Sequence, residues 1–253
     1  MNDRISKVEN DVQDRNSVAW KRLCEYVDKV AFENREEFSP FEELGEELFS
    51  QIHTLPETIS KLKNVTKVWL YGSKLKRIPP EIGKMESLKY FDPYTSYDLH
   101  WFPYELTNCK SLKDSRVSTR ALYGNFKNRM GFPRLTHNPV RYLSNTVKCS
   151  VCKKEMTYEQ TNQVWISLWV GTDVLPLLAN LCSQDCEDKL PKPPKGCVQF
   201  PHKGGADLEQ STYEEWEEAN VVKLTMENIE KLKQKDNGGK PKLFKLIRKI
   251  WEK

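Results

Sequence analysis

The chain is poor in the residues on which most recognisable active sites are built. It has four histidines, His53, His100, His137 and His202, and none begins an H-E-x-x-H pair of metal ligands. Neither Gly83-Lys84 nor Gly239-Lys240 has the preceding glycine and following Ser or Thr of a phosphate loop. The chain is therefore read as non-enzymatic, although a Cys or Ser nucleophile with a distant His is a site that one sequence does not display. No charge of one sign dominates. Forty Lys and Arg against 36 Asp and Glu leave +4, too little to indicate nucleic acid or acidic lipid without clustering. The opening MNDRISKVEN lacks an apolar h-region, so a secretory leader is not expected and a cytoplasmic location is. Long apolar runs are also scarce. Val164 to Leu181 comes nearest to the roughly 20 residues of a spanning helix. Gly171, Thr172, Asp173, Pro176 and Asn180 interrupt it, which predicts a strand followed by a turn and no membrane span.

What is present suffices for a core: hydrophobic residues make up 38% and aromatic residues 11%. Trp20, Leu23, Cys24, Val27, Val30 and Ala31 recur at three and four, predicting a helix over about Ser17 to Asn34. A second helix is expected after Ser39 as N-cap, with Pro40 in the first turn and Glu42 closing a capping box. Its buried face is expected to be Phe41, Leu44, Leu48 and Ile52.

Beyond these helices the apolar positions repeat. Leu55-Pro56, Ile78-Pro79 and Phe102-Pro103 are offset by 23 and then 24 residues. Ile59, Ile82 and Leu106 keep the same register, as do Leu62, Met85 and Cys109, then Val65, Leu88 and Leu112, and Ile52, Leu75 and Leu99. Over about Ile52 to Leu122 this resembles the leucine-rich repeat family, whose period lies in that range. The resemblance implies a short solenoid whose open ends need caps, one of them the N-terminal helices. The segment from Leu122 to Pro139, with Phe126, Phe132, Pro133 and Leu135, is expected to start the other. The sequence departs from the family where Ser73, Ser96 and Arg120 replace the turn asparagine, so those turns must be satisfied otherwise. Pro93 and Ser115 at inward positions predict irregular second and third strands.

Alternation in each strand sends Lys67, Trp69 and Tyr71, then Tyr90, Asp92 and Tyr94, then Asp114, Arg116 and Ser118 to the concave face. Four of these nine are aromatic, and Tyr, Trp and Arg anchor protein interfaces. Lys67, Trp69, Tyr71, Tyr90, Asp92, Tyr94, Asp114 and Arg116 are thus the candidate partner-binding residues. The alternative is a face covered by the chain's own C-terminal segment.

Seven cysteines are an odd number for a disulfide scaffold. Cys149-Ser-Val-Cys152 and Cys182-Ser-Gln-Asp-Cys186 have the spacing of two halves of a closed, structural four-thiolate zinc site. The second half resembles treble-clef zinc fingers, which place the last ligand in the first turn of a short helix. Reduced core thiols or disulfides are the alternatives, and Cys197 or His202 lies near enough to replace one ligand. Cys24 and Cys109 sit on apolar stripes and are expected to be packing thiols. Between the pairs, Val164, Ile166, Leu168 and Val170 alternate with Trp165 and Trp169 on the opposite face of one strand.

The tail divides by charge, acidic over Asp207 to Glu218 and basic over Lys240 to Lys253. Leu243, Leu246, Ile247, Ile250 and Trp251 would form the apolar face of a basic amphipathic helix, suited to membrane, an acidic partner or nucleic acid, or simply docked on the body. The expectation is an α/β chain: a helical cap over 1–52, a short repeat solenoid over 53–140, a small α+β zinc domain over 141–205 and a helical tail over 206–253. Its expected function is to bind another protein, as a dedicated inhibitor or immunity-type partner. Nucleic-acid binding through the zinc domain and basic helix is the alternative.

Overall fold

The computed structural model describes residues 10–125, 130–136 and 139–218. Phe126, His137 and the expected basic helix over Lys240 to Lys253 lie outside the described residues. Helix α1, Val18–Phe32, starts where the Ser17 hydroxyl accepts a hydrogen bond from the Trp20 N–H at 3.2 Å, and it buries Leu23, Val27 and Val30 as expected. A two-residue strand β1, Glu37–Phe38, follows. Helix α2, Pro40–Phe49, begins with the expected proline, but Ser39 makes no side-chain cap. The Ser39 backbone instead donates to the Tyr26 hydroxyl at 3.1 Å, which ties the two helices together. Gly45, at φ +74, breaks α2 in the middle. Leu44 and Ile52 are buried as expected and Phe49, beyond the break, is buried in addition, whereas Phe41, expected inside, is 49% exposed.

Strands β2 (Lys67–Trp69), β3 (Tyr90–Asp92), β4 (Phe102–Pro103) and β5 (Asp114–Ser115) come next. One parallel sheet has the order β1-β2-β3-β5, with Lys67 beside Tyr90 and Tyr90 beside Asp114. The sequence offsets of 23 and 24 thus reappear as neighbours across the sheet. Before each of β2, β3 and β5 lies one short 3-10 turn, at Glu57–Lys61, Pro80–Lys84 and Tyr104–Asn108, capped by Pro56, Pro79 and Pro103. Proline suits this place because its φ is already fixed and the position needs no N–H donor. Leu55, Ile59, Leu62, Ile78, Ile82, Leu88 and Leu106 are fully buried between the turns and the sheet. At the bends after the strands, serine hydroxyls satisfy one another and the backbone. Ser73 and Ser96 hydroxyls are 2.7 Å apart, Ser96 donates to the Leu70 carbonyl, and Ser118 accepts from the Thr95 N–H. Strand β3 stops before Pro93 and β5 has two residues, the irregularity that Pro93 and Ser115 predict.

Strands β6 (Thr146–Lys148) and β7 (Glu155–Thr157) form a hairpin, and β8 (Asn162–Val170) and β9 (Asp173–Leu181) another, before the short helix α3, Gln184–Glu187. The apolar window Val164 to Leu181 is therefore a hairpin turning at Gly171, φ +61. No helix among the described residues is long and apolar enough to cross a membrane. Strand β9 pairs on one side with β8 and on the other, in parallel, with β4, Phe102 lying opposite Leu177. The sequence boundary at residue 140 is consequently not a boundary in the packing. Val164, Ile166, Leu175 and Leu177 join Ile82, Phe91 and Phe102 in one core, and a second core beneath the other face gathers Trp101, Tyr123, Phe132, Leu135, Trp165 and Leu178. At the tip of β8–β9, Ser115 donates to the Val170 carbonyl at 2.8 Å and Thr172 donates to the Ser115 carbonyl at 2.7 Å, closing the open end of the parallel sheet.

Glu105 crosses the junction between the halves. Its Oε1 accepts from the Ser150 hydroxyl at 2.7 Å, and its Oε2 is buried without a partner. Burial pushes this carboxyl above its ordinary value of 4.5, with the Ser150 hydrogen bond opposing. Because the folded state favours the protonated form, Glu105 contributes most below pH 4.5, and that contribution is lost as pH rises through the elevated value. Glu105→Gln is expected to melt with the native chain at pH 4 and above it at pH 8. Equal melting shifts at both pH values would contradict this.

Candidate functional site

One face of the parallel sheet carries the expected aromatic row. Trp69 and Tyr90 have ring centroids 4.8 Å apart, and Tyr71 and Tyr94 6.1 Å. The rings are held from below. Glu37, on β1, accepts from the Lys67 ammonium at 2.7 Å and from the Trp69 indole N–H at 3.0 Å, and those two bonds hold its carboxyl below the usual range. Asp92 is in the row but not open to a partner: it is 2% exposed, accepting from the Tyr90 hydroxyl and the Tyr94 N–H, both at 3.0 Å. Burial, then the bond to Asp92, raises the Tyr90 phenol, which stays a donor. Arg116 covers Asp92 at 3.6 Å and lies over the Tyr94 ring, 4.7 Å from its centroid. Asp114 is exposed at the edge, accepting weakly from the Thr172 hydroxyl at 3.4 Å, while Ser118 belongs to the serine ladder. The β8–β9 tip reaches Asp114, Ser115 and the Val117 N–H at the edge of this face. Among the described residues, none lies over Tyr71, which is 56% exposed, and Arg116 is also largely exposed.

The second constellation is the four cysteines. Cys149 and Cys152 flank the tight turn between β6 and β7, in which Lys153 takes the left-handed φ of +66 and its N–H donates back to the Cys149 carbonyl. Cys182 leaves the end of β9 and Cys186 sits in α3, the place expected of a last ligand. The four sulfurs all lie within 4.8 Å of one another, with Cys152–Cys182 at 3.4 Å and Cys182–Cys186 at 3.6 Å. Metal–sulfur bonds of about 2.3 Å in a tetrahedron separate sulfurs by about 3.8 Å, so the group can hold a metal ion. Its electrostatics fit as well. Burial opposes ionisation of Cys149, but backbone N–H groups of Cys152, Val151 and Cys182 outweigh it and bring the thiol down to about 7. Cys182 is pushed up by its sulfur neighbours, Cys152 first. A dication resolves that crowding by taking all four as thiolates.

Neither alternative ligand joins the group. The Cys197 thiol is raised to about 11 by burial. His202 packs against Phe132 and accepts the Gly204 N–H at Nδ1, and burial lowers it to about 4. Cys109 is a packing thiol, donating to the Ile82 carbonyl, and Cys24 is half-buried on α1. What the sequence did not reveal is Glu37. The only signal was the short Glu36-Glu37-Phe38 run between two helices, too brief for alternation to register. The chain matches no family model, and neither a curated protein nor a solved structure is similar to it.

Proposed function

We propose that this chain is a non-enzymatic, cytoplasmic protein-binding module of the leucine-rich repeat type, stiffened by a structural zinc ion at Cys149, Cys152, Cys182 and Cys186. The observation that carries the reading is the row of Trp69, Tyr71, Tyr90, Tyr94 and Arg116 on one sheet face, each ring in tilted contact with a neighbour. Rigid aromatic side chains lose little conformational freedom on association and bury much apolar area, which is why they dominate binding energy. Leucine-rich repeats support the reading through the strand register, in which residues one sequence period apart are lateral neighbours. The four-thiolate set favours zinc over harder metals and needs reduced cysteines, which supports the cytoplasm. Within this class the chain acts as a dedicated inhibitor or immunity-type partner, presenting one preformed face to one protein.

Replacing Trp69, Tyr71 and Tyr90 together by Ala is expected to abolish co-purification of the partner seen with the native chain by affinity capture and mass spectrometry. Single anchors of this kind are worth about 2 kcal/mol or more, so the triple variant should lose binding by well over about 100-fold. The melting temperature should fall little, because these rings lie outside the two cores. Undiminished recovery of the same partner would refute the docking face.

A further inference from the structure

Between α2 and β2 the fold leaves a cleft of about 720 Å³. Trp69, Tyr71 and Gly72 line one side, and Phe41, Glu42 and Glu46 the other, with Glu37 nearby in the lining. Phe41 on the second wall is turned outward, 49% exposed. Three carboxylates line the space against one ammonium, that of Lys74. Glu37 is already engaged by Lys67 and Trp69, but Glu42 and Glu46 are exposed and have no ion-pair partner among the described residues.

Anions would be repelled from this cleft. A wholly apolar occupant would desolvate Glu42 and Glu46 without compensation. A cation on an aliphatic stem satisfies both demands, pairing with the carboxylates while lying against ring faces. The protein already displays such an arrangement one strand away. There, Arg116 lies over Tyr94 and against the carboxylate of Asp92. Tyr71 is the neighbour of Tyr94 and stands beside free carboxylates, with no cation over it among the described residues. Resting on the docking-face reading above, we propose that the cleft between α2 and β2 receives an arginine-bearing segment of the partner protein, its guanidinium held between Tyr71 and the carboxylates of Glu42 and Glu46. The aromatic row would then supply apolar anchoring and this cleft the selection for positive charge.

The test uses the full chain and the probe acetyl-Gly-Leu-Arg-Leu-Arg-Gly-amide, beside the same peptide with both arginines replaced by neutral, nearly isosteric citrulline. The Trp69 indole N–H resonance is the reporter. Saturable shifts are expected with the arginine peptide, weakened about tenfold or more by citrulline and to a similar degree by Glu42→Gln with Glu46→Gln. Equal responses to the two peptides, or an unchanged affinity in the double variant, would overturn the proposal. So would no response at all. Binding that appears only after Lys242, Lys245, Arg248 and Lys249 are replaced by Ser assigns the cleft to the chain's own basic segment, and a concentration-dependent Trp69 shift without peptide assigns it to a second copy; either outcome overturns the assignment to a partner. The docking face itself stands or falls separately, on partner capture by the triple alanine variant.

Discussion

Removal of zinc from the four-cysteine site is expected to detach part of the C-terminal half without unfolding the rest. The purified chain should carry one zinc, and Cys182→Ser should lose it, at a cost of at least about 3 kcal/mol of stability. The geometry decides where that cost falls. Cys149 and Cys152 hold the turn between β6 and β7, whereas Cys182 and Cys186 hold the end of β9 and α3. A metal ion held there would clamp a two-stranded hairpin and one short helix onto the end of a long strand. That strand has other support. It pairs with β8 along its whole length and with β4 at Leu177 and Leu178, and Leu175, Leu177 and Ala179 are fully buried. Sequence reasoning alone would have the whole zinc region melt as a unit apart from the repeats; the shared sheet and core narrow the expected loss. Hydrogen exchange after chelation should accelerate over 146–157 and 184–187, with β8 and β9 still protected. Zinc uptake should also release protons and weaken as pH falls, because the thiols bind the ion as thiolates. Cys109→Ser, on a thiol outside the cluster, should leave the zinc content at one. A metal-free chain with four reactive thiols and undisturbed exchange would mean that the four cysteines hold no structural metal.

Sequence period and cysteine spacing are short-range patterns that the fold preserves. Leu55, Ile78 and Phe102 stack because each apolar position recurs in the same place relative to its proline, and Cys149 with Cys152 are held within one tight turn. Three other features were hidden for identifiable reasons. Phe49 lies off the helical stripe on paper, but a single left-handed residue before it, Gly45, resets the phase and brings it inward. Glu37 contributes two bonds to the aromatic row from a strand of two residues, below the length at which alternation can be recognised. The pairing of β4 with β9 joins residues some seventy-five apart in sequence, as Phe102 opposite Leu177 shows, and no local pattern encodes a contact of that range. The Asp92 carboxylate is a milder case. Alternation places it on the same sheet face as the aromatic row, yet Tyr90, Tyr94 and Arg116 close over it, so it organises that face from beneath.

The two tryptophans of β8 should respond very unequally to the same substitution. Alternation puts Trp165 and Trp169 on one face of the strand, and by sequence they are equivalent. In the fold Trp165 is fully buried and Trp169 is 44% exposed. The difference arises from what crosses that face. The 130–136 segment passes over Trp165, so that its indole donates to the Pro133 carbonyl at 2.8 Å and its ring meets Phe132 at 5.9 Å. Trp101 and Tyr123 approach it edge-on, each with centroids 5.7 Å away. Trp165→Ala would therefore open a large void in the second core, leave the Pro133 carbonyl buried without its donor and remove three aromatic contacts at once. A loss of about 3–5 kcal/mol is expected, read as a lower denaturant midpoint. Trp165→Phe should recover part of the packing but not the hydrogen bond, falling between the two. Trp169→Ala should cost less than about 1 kcal/mol, since its ring is already partly in water. Comparable midpoints for Trp165→Ala and Trp169→Ala would mean that the segment carrying Phe132 and Pro133 does not cover the sheet, and the second core would have to be withdrawn.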